Sequence, residues 1–354
     1  MSATNLKSKR NPLVRAIQLI LWSDLGPVVA LFVILILFTL ADNLWGSGRF
    51  LSMRNARVML NSASLVAVPA LGMTIIIIAG GIDLSAGTAL TLCATALAIL
   101  LKNDVSYMAA VPVVLLVGCA CGAANGTIIS TLRVVPFIVT LGSMTIYLGI
   151  GQILSGESTV FPPRENIPAW LIDLCSTGKP DVYYGWLPNI PRSVLFALVL
   201  ACFVAVLLRY TVFGRSVFAI GSNESTARLC GINIPLTKIL VYTIAGFFVA
   251  VGGVYHFANI KNGNPSEGVG LELQVIAAVV VGGGSLSGGR GSVLGTVTGA
   301  MIMAAIRSGC DQLSIPNPYQ LIIIGAIIVI AVTMDRLREG SPEWLFRWLQ
   351  SRSP

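Results

Sequence analysis

The chain has 354 residues, of which 55% are hydrophobic and only 11% charged, with a mean hydropathy of +0.84. Soluble domains carry about 25% charge, so this composition excludes an ordinary soluble enzyme and marks an integral membrane protein. The formal net charge of +8 comes from lysines and arginines scattered over short polar segments, which excludes a nucleic-acid face and fits membrane topology instead.

The apolar runs are too continuous for the alternation of an outer-membrane barrel, so the expected class is all-α and polytopic. Residues 1–23 carry Lys7, Lys9, Arg10 and Arg15 ahead of the first apolar run. Thr39-Leu40-Ala41 is a poor cleavage site, so that run is expected to stay as an uncleaved helix behind a cytoplasmic segment, 1–23. Ten spans account for the chain, at 24–42, 57–79, 83–101, 106–130, 136–154, 191–209, 235–258, 270–285, 292–310 and 319–335. Together they make a transmembrane domain over 24–335, followed by a tail, 336–354. An even count places both termini in the cytoplasm. Fourteen of the 23 lysines and arginines then fall on cytoplasmic segments, as the positive-inside rule requires. Lys7 and Arg347 are expected inside and Lys179 outside.

Two glycine-rich breaks resemble each other. The first is Ala79-Gly80-Gly81-Ile82-Asp83-Leu84-Ser85-Ala86-Gly87 and the second Val281-Gly282-Gly283-Gly284-Ser285-Leu286-Ser287-Gly288-Gly289-Arg290. Both end one apolar run and begin another, the trace of a parallel internal repeat in a transporter. Asp83 is an acid at a helix junction, and two roles stand open: a cap for the helix that follows, or a polar contact on a translocation path. Gly118, Gly122 and Gly126 share one helix face, and Gly295 and Gly299 another, which predicts close helix packing. Asn125, beside them, is placed to bond across a helix interface or to a hydroxyl of a transported solute. The second break lacks a Gly-Lys-Ser/Thr ending, so this chain is not expected to bind nucleotide.

Residues 155–190 form one long outer loop rich in proline and aromatics. Residues 210–234 form a cytoplasmic loop holding the polar stretch 219–232. There Asn223 is expected to cap a short helix, with Glu224 in its first turn, Arg228 one turn on and Gly231 ending it. Such a helix lies where another protein can push on it. The seven cysteines mostly sit in apolar runs and read as packing residues, and the one histidine, His256, as structural. No metal site is expected.

Taken together, the chain resembles the permease subunit of the ribose/xylose/galactose class of bacterial ABC sugar importers. The likeness is carried by Ala70-Leu71-Gly72-Met73-Thr74, Gly80 to Ser85, Ala124-Asn125-Gly126 and Pro136 to Met144. It continues through Gly221-Ser222-Asn223, Ala227-Arg228, Gly231-Ile232, Glu272-Leu273, Ile276-Ala277-Ala278 and Gly288-Gly289-Arg290-Gly291-Ser292. Departures are Ala86 for valine, Ser222 for glycine and Cys230 for serine. The resemblance implies an ABC importer permease fold in the bacterial cytoplasmic membrane, with no catalysis and no cofactor on this chain. It also implies three partners: an ATPase pair that holds ATP and Mg, an extracytoplasmic sugar-binding protein, and a second permease copy or paralogue. Gly221, Ser222, Asn223, Glu224, Ala227, Arg228 and Gly231 are the expected ATPase-coupling residues. Gly80, Gly81, Asp83, Ser85, Asn125, Gly283 and Gly284 are candidates for the path or its breaks. Two rival classes remain: an ion-coupled secondary transporter, which needs buried coupling carboxylates, and a membrane enzyme, which needs convergent catalytic groups.

Overall fold

The computed structural model describes residues 26–177 and 190–339, with side chains to 333. The segment 1–23, Lys7, Lys179, Arg347, the aromatic half of the outer loop and the end of the tail lie outside the described residues. The described residues are predominantly helical, with a single isolated β-bridge between Val160 and Gly263. In chain order the helices are α1 (Gly26–Trp45), α2 (Met53–Ile78), α3 (Ala86–Lys102), α4 (Tyr107–Thr131) and α5 (Pro136–Ser155). There follow α6 (Ala169–Leu174), α7 (Arg192–Tyr210), α8 (Val212–Ser222), α9 (Glu224–Leu229) and α10 (Ile234–Ile260), then α11 (Leu271–Val281), α12 (Val293–Gln312) and α13 (Asn317–Glu339).

Seven of these helices are long and apolar enough to cross a membrane: α1, α2, α4, α5, α7, α10 and α12. Each coincides with an expected span. The chain is therefore an all-α, multi-pass membrane protein. Their ends are set by local chemistry. Ser52, Ser106, Asn233 and Ser292 accept side-chain bonds from first-turn amides, and Pro136 opens α5 where its missing N–H costs nothing.

The glycine faces pack as their spacing requires. A Cβ at Gly122 would overlap the carbonyl of Tyr242, and one at Gly118 would lie 2.5 Å from that of Gly246, so α4 and α10 touch backbone to backbone. A side chain on Gly299 would likewise overlap the Ala278 carbonyl, which seats α12 against α11. Core helix α2 is buried along most of its length, with Leu71, Ile75, Ile77 and Ile78 fully enclosed.

One expected span is different in kind. Residues 270–285 are not a single membrane-length helix: α11 has 11 residues and is about 16 Å long. The chain reaches it by turning back after α10 and running down beside α3 with no more than one 3-10 turn, Pro265–Gly268. Gly263 lies against Thr95 and Ala98, the Pro265 carbonyl accepts a bond from Thr91 Oγ1 at 3.0 Å, and Gly268 packs on Gly87. From Ala98 to Gly87 is about 16 Å along the helix axis, so α11 begins deep in the structure rather than at its rim. Small residues on both sides make this descent sterically possible, and such irregular backbone is tolerated in a membrane only where protein covers it.

Candidate functional site

Both glycine breaks end their helix in the same way. Gly80 takes φ +80°, Gly80 N–H bonds the Ile77 carbonyl and Gly81 N–H bonds that of Ile76, at 2.9 Å each. Gly283 takes φ +91°, Gly283 N–H bonds the Val280 carbonyl and Gly284 N–H that of Val279, again at 2.9 Å. This is the Schellman cap, which needs a left-handed residue and so selects glycine. Gly81 is constrained differently: a Cβ there would lie 2.6 Å from the Tyr242 hydroxyl.

The two breaks meet the end of α8 at one point. Gly289 N–H donates to the carbonyl of Ile78, the last residue of α2, at 2.8 Å. Gly221, at the end of α8, covers the same carbonyl so closely that a Cβ would overlap its oxygen. A Cβ at Gly288 would lie 2.7 Å from the Gly221 carbonyl and 2.9 Å from Gly80 Cα. Three segments distant in sequence are thus joined backbone to backbone, with no side chain between them.

From this junction the chain passes directly into the short helix α9. Asn223 caps it by accepting from Thr226 N–H at 2.9 Å, and Gly231, at φ +81°, ends it in a third Schellman cap through Gly231 and Ile232. Glu224 accepts from Lys238 Nζ at 2.7 Å and lies 3.5 Å from Arg228 Nη2. The lysine partner was not legible in the loop, because it comes from the first turns of α10. Ala227 packs inward on Ile220 and Ile234. Gly221 and Ala227 therefore face the protein interior, whereas Ser222, Asn223, Arg228 and Gly231 are exposed. Leu229 at the helix tip is 89% exposed, an apolar side chain in a polar setting that the motif reading passed over. Beside α9 lies a cavity of about 680 Å³ whose lining includes Arg133, Glu224, Arg228 and Lys238.

Inward of the first break, Asp83, Ser85 and Asn125 come together. Asp83 Oδ1 accepts from Ser85 N–H at 2.8 Å and from Ser85 Oγ at 2.6 Å. Asn125 Nδ2 donates to Ser85 Oγ at 2.9 Å, and its Oδ1 accepts from Ser143 Oγ. Tyr147 OH donates to the Cys121 carbonyl at 2.9 Å and lies 3.2 Å from Asn125 Oδ1. All five residues are buried. Asp83 thus closes a turn just ahead of α3 and is not its N-cap, a position held by Ser85. Tyr242 OH, facing Gly81, is buried with no hydrogen-bond partner. Glu272, which hydropathy had hidden at the start of α11, is also buried, its carboxylate against Gly87 and the N–H of Gly270. Among the described residues no group of three or more His, Cys, Asp or Glu side chains is arranged to hold a metal ion.

A family model described as branched-chain amino acid transport system / permease component matches residues 55–332. The chain belongs to this permease family. Curated relatives cover nearly the whole chain. The ribose import permease protein of Escherichia coli (strain K12) is 32% identical over 313 residues, 88% of this chain and 94% of that protein. The galactose/methyl galactoside import permease protein of the same strain is 36% identical over 321 residues, 86% and 93%. The ribose import permease protein of Bacillus subtilis (strain 168) is 32% identical over 316 residues, 89% and 94%. No solved structure matches the chain. This permease is a transport subunit and not an enzyme.

Proposed function

We propose that this permease is the translocation subunit of an ATP-driven importer for a monosaccharide or a related small polar solute, in the bacterial cytoplasmic membrane. Its relatives are named for ribose and galactose import, and the match runs through both breaks and the α8–α9 segment. ATP and Mg belong to a separate ATPase, which docks on the exposed face of 219–232 around Arg228 and Leu229. An extracytoplasmic binding protein delivers the solute, and a second permease copy or paralogue completes the path. The chain crosses the bilayer ten times, α3, α11 and α13 included, with both termini in the cytoplasm.

The observation that carries this reading is the backbone junction of Gly221 with Ile78 and Gly289. A push on α9 is passed through it to both breaks, and thence to the ends of α2, α3, α11 and α12, which is how a cytoplasmic motor reopens a path by moving packed helices. The ion-coupled alternative keeps a foothold in the buried carboxylates Asp83 and Glu272. Uptake of radiolabelled D-ribose or D-galactose by cells with the complete transporter separates the two. Import that stops on ATP depletion and survives an uncoupler while ATP is held constant is expected. Import that follows the ion gradient at constant ATP overturns the ATP-driven reading.

A further inference from the structure

We infer that the outer half of the permease holds a vestibule for a neutral, polyhydroxylated solute, floored by His256, Glu267 and Gln274 and entered past Arg307. The inference rests on the sugar-import reading and gives it a place on this chain.

The descent before α11, with its single 3-10 turn, leaves space between α2, α10 and α11. That space is a cavity of about 500 Å³, within the range that holds small ligands. Leu65, Pro69 and Leu90 form its apolar wall, while its polar groups arrive from separate segments. His256 comes from α10, Glu267 from the descent, Gln274 from α11 and Arg307 from α12. His256 Nε2 and Glu267 Oε2 lie 3.2 Å apart and supply a donor and an acceptor side by side. Among the described residues neither Gln274 nor Arg307 makes a side-chain hydrogen bond or ion pair. The half-buried Gln274 amide, with no protein partner among the described residues, leaves a donor and an acceptor open to a hydroxyl-bearing guest.

A second cavity, of about 680 Å³, shares Ser62 and Arg307 with the first, so the two are contiguous. It is lined by Arg49 and Arg54 at the foot of α2, the end that the charge distribution places outside. A solute entering at these arginines reaches the floor without crossing the core. The wall-and-edge chemistry fits a sugar, whose ring C–H groups pack on Leu65 and Pro69 while its hydroxyls meet Gln274 and the His256–Glu267 pair. The Glu267 carboxylate on the floor disfavours an anionic guest.

The test uses the full transporter in intact cells, with D-ribose and D-galactose as probes. Ser62→Cys places a thiol where the two cavities join. Its modification by a membrane-impermeant reagent, above that of the parent protein, should slow at least threefold with millimolar sugar. Gln274→Leu should lower the uptake rate at least tenfold, with membrane abundance and ATPase co-purification unchanged. Glu267→Gln, which keeps the shape, should lower it less. Parent-like uptake by Gln274→Leu, or sugar-independent labelling of Ser62→Cys in cells whose parent transporter imports either sugar, overturns the vestibule alone. Should Gln274→Leu fail to reach the membrane, the labelling result decides. A parent transporter that imports neither sugar overturns the import reading and the vestibule with it.

Discussion

Gly221 and Gly231 bracket α9 and look interchangeable in the sequence, yet they are glycine for different reasons. Gly221 has no room for a side chain, because a Cβ overlaps the Ile78 carbonyl. Gly231 has room but sits at φ +81°, where a side chain is strained. Gly231→Ala should therefore cost about 1–2 kcal/mol and leave a folded protein. Gly221→Ala must displace backbone, and should cost at least the about 1–3 kcal/mol of an overpacked core site. Thermal unfolding of the detergent-purified variants ranks them; equal shifts, or a larger one for Gly231→Ala, would contradict the junction. Asn125 offers a second comparison. Removing its amide leaves Ser85, Ser143 and Tyr147 short of a partner in a buried place. Asn125→Ala should thus destabilise by about 1–3 kcal/mol, read by the same unfolding assay, and parent-like melting would show that water or repacking satisfies the site.

At the scale of elements, α9 is held by two Schellman-type and capping devices of its own and only lightly by charge. The Glu224–Arg228 pair is exposed and contributes about 0.2–0.5 kcal/mol, with Lys238 supplying a second, closer partner for Glu224. Arg228→Glu should consequently leave membrane abundance unchanged while ATPase co-purification and uptake fall at least tenfold. Retention of both would remove Arg228 from the docking surface. Much of this helix was legible, because Asn223, Glu224 and Gly231 are local signals with fixed spacing. The short helix α11 was not. Val275 to Val281 reads as the middle of a span, and the polar residues before it read as an outer loop. Nothing local reveals that Gly263, Pro265 and Gly268 fit the small-residue face of α3, since that is a fact about two segments far apart in the chain. Glu272 was hidden for the same reason, and the convergence of Asp83, Ser85 and Asn125 became visible only once α3, α4 and α5 were packed.

For the whole molecule, the charge distribution makes a prediction about sidedness. Ser225→Cys, on α9, should resist an impermeant thiol reagent in intact cells, whereas Asn103→Cys, at the far end of α3, should react. The opposite pattern would invert the topology and move α9 away from any cytoplasmic ATPase. The junction at Ile78 also bears on how the protein is made. Its carbonyl belongs to the second of the described helices, but the N–H that caps it belongs to Gly289, made much later. Until then the end of α2 waits without that donor, and the cover from Gly221 has nothing to close against on the other side. Insertion intermediates halted before residue 289 should accordingly be open to proteases at 79–85 from the cytoplasmic side, and chains released beyond α12 closed. The segment around Gly289, on this view, is the latch that turns an inserted set of helices into a transporter.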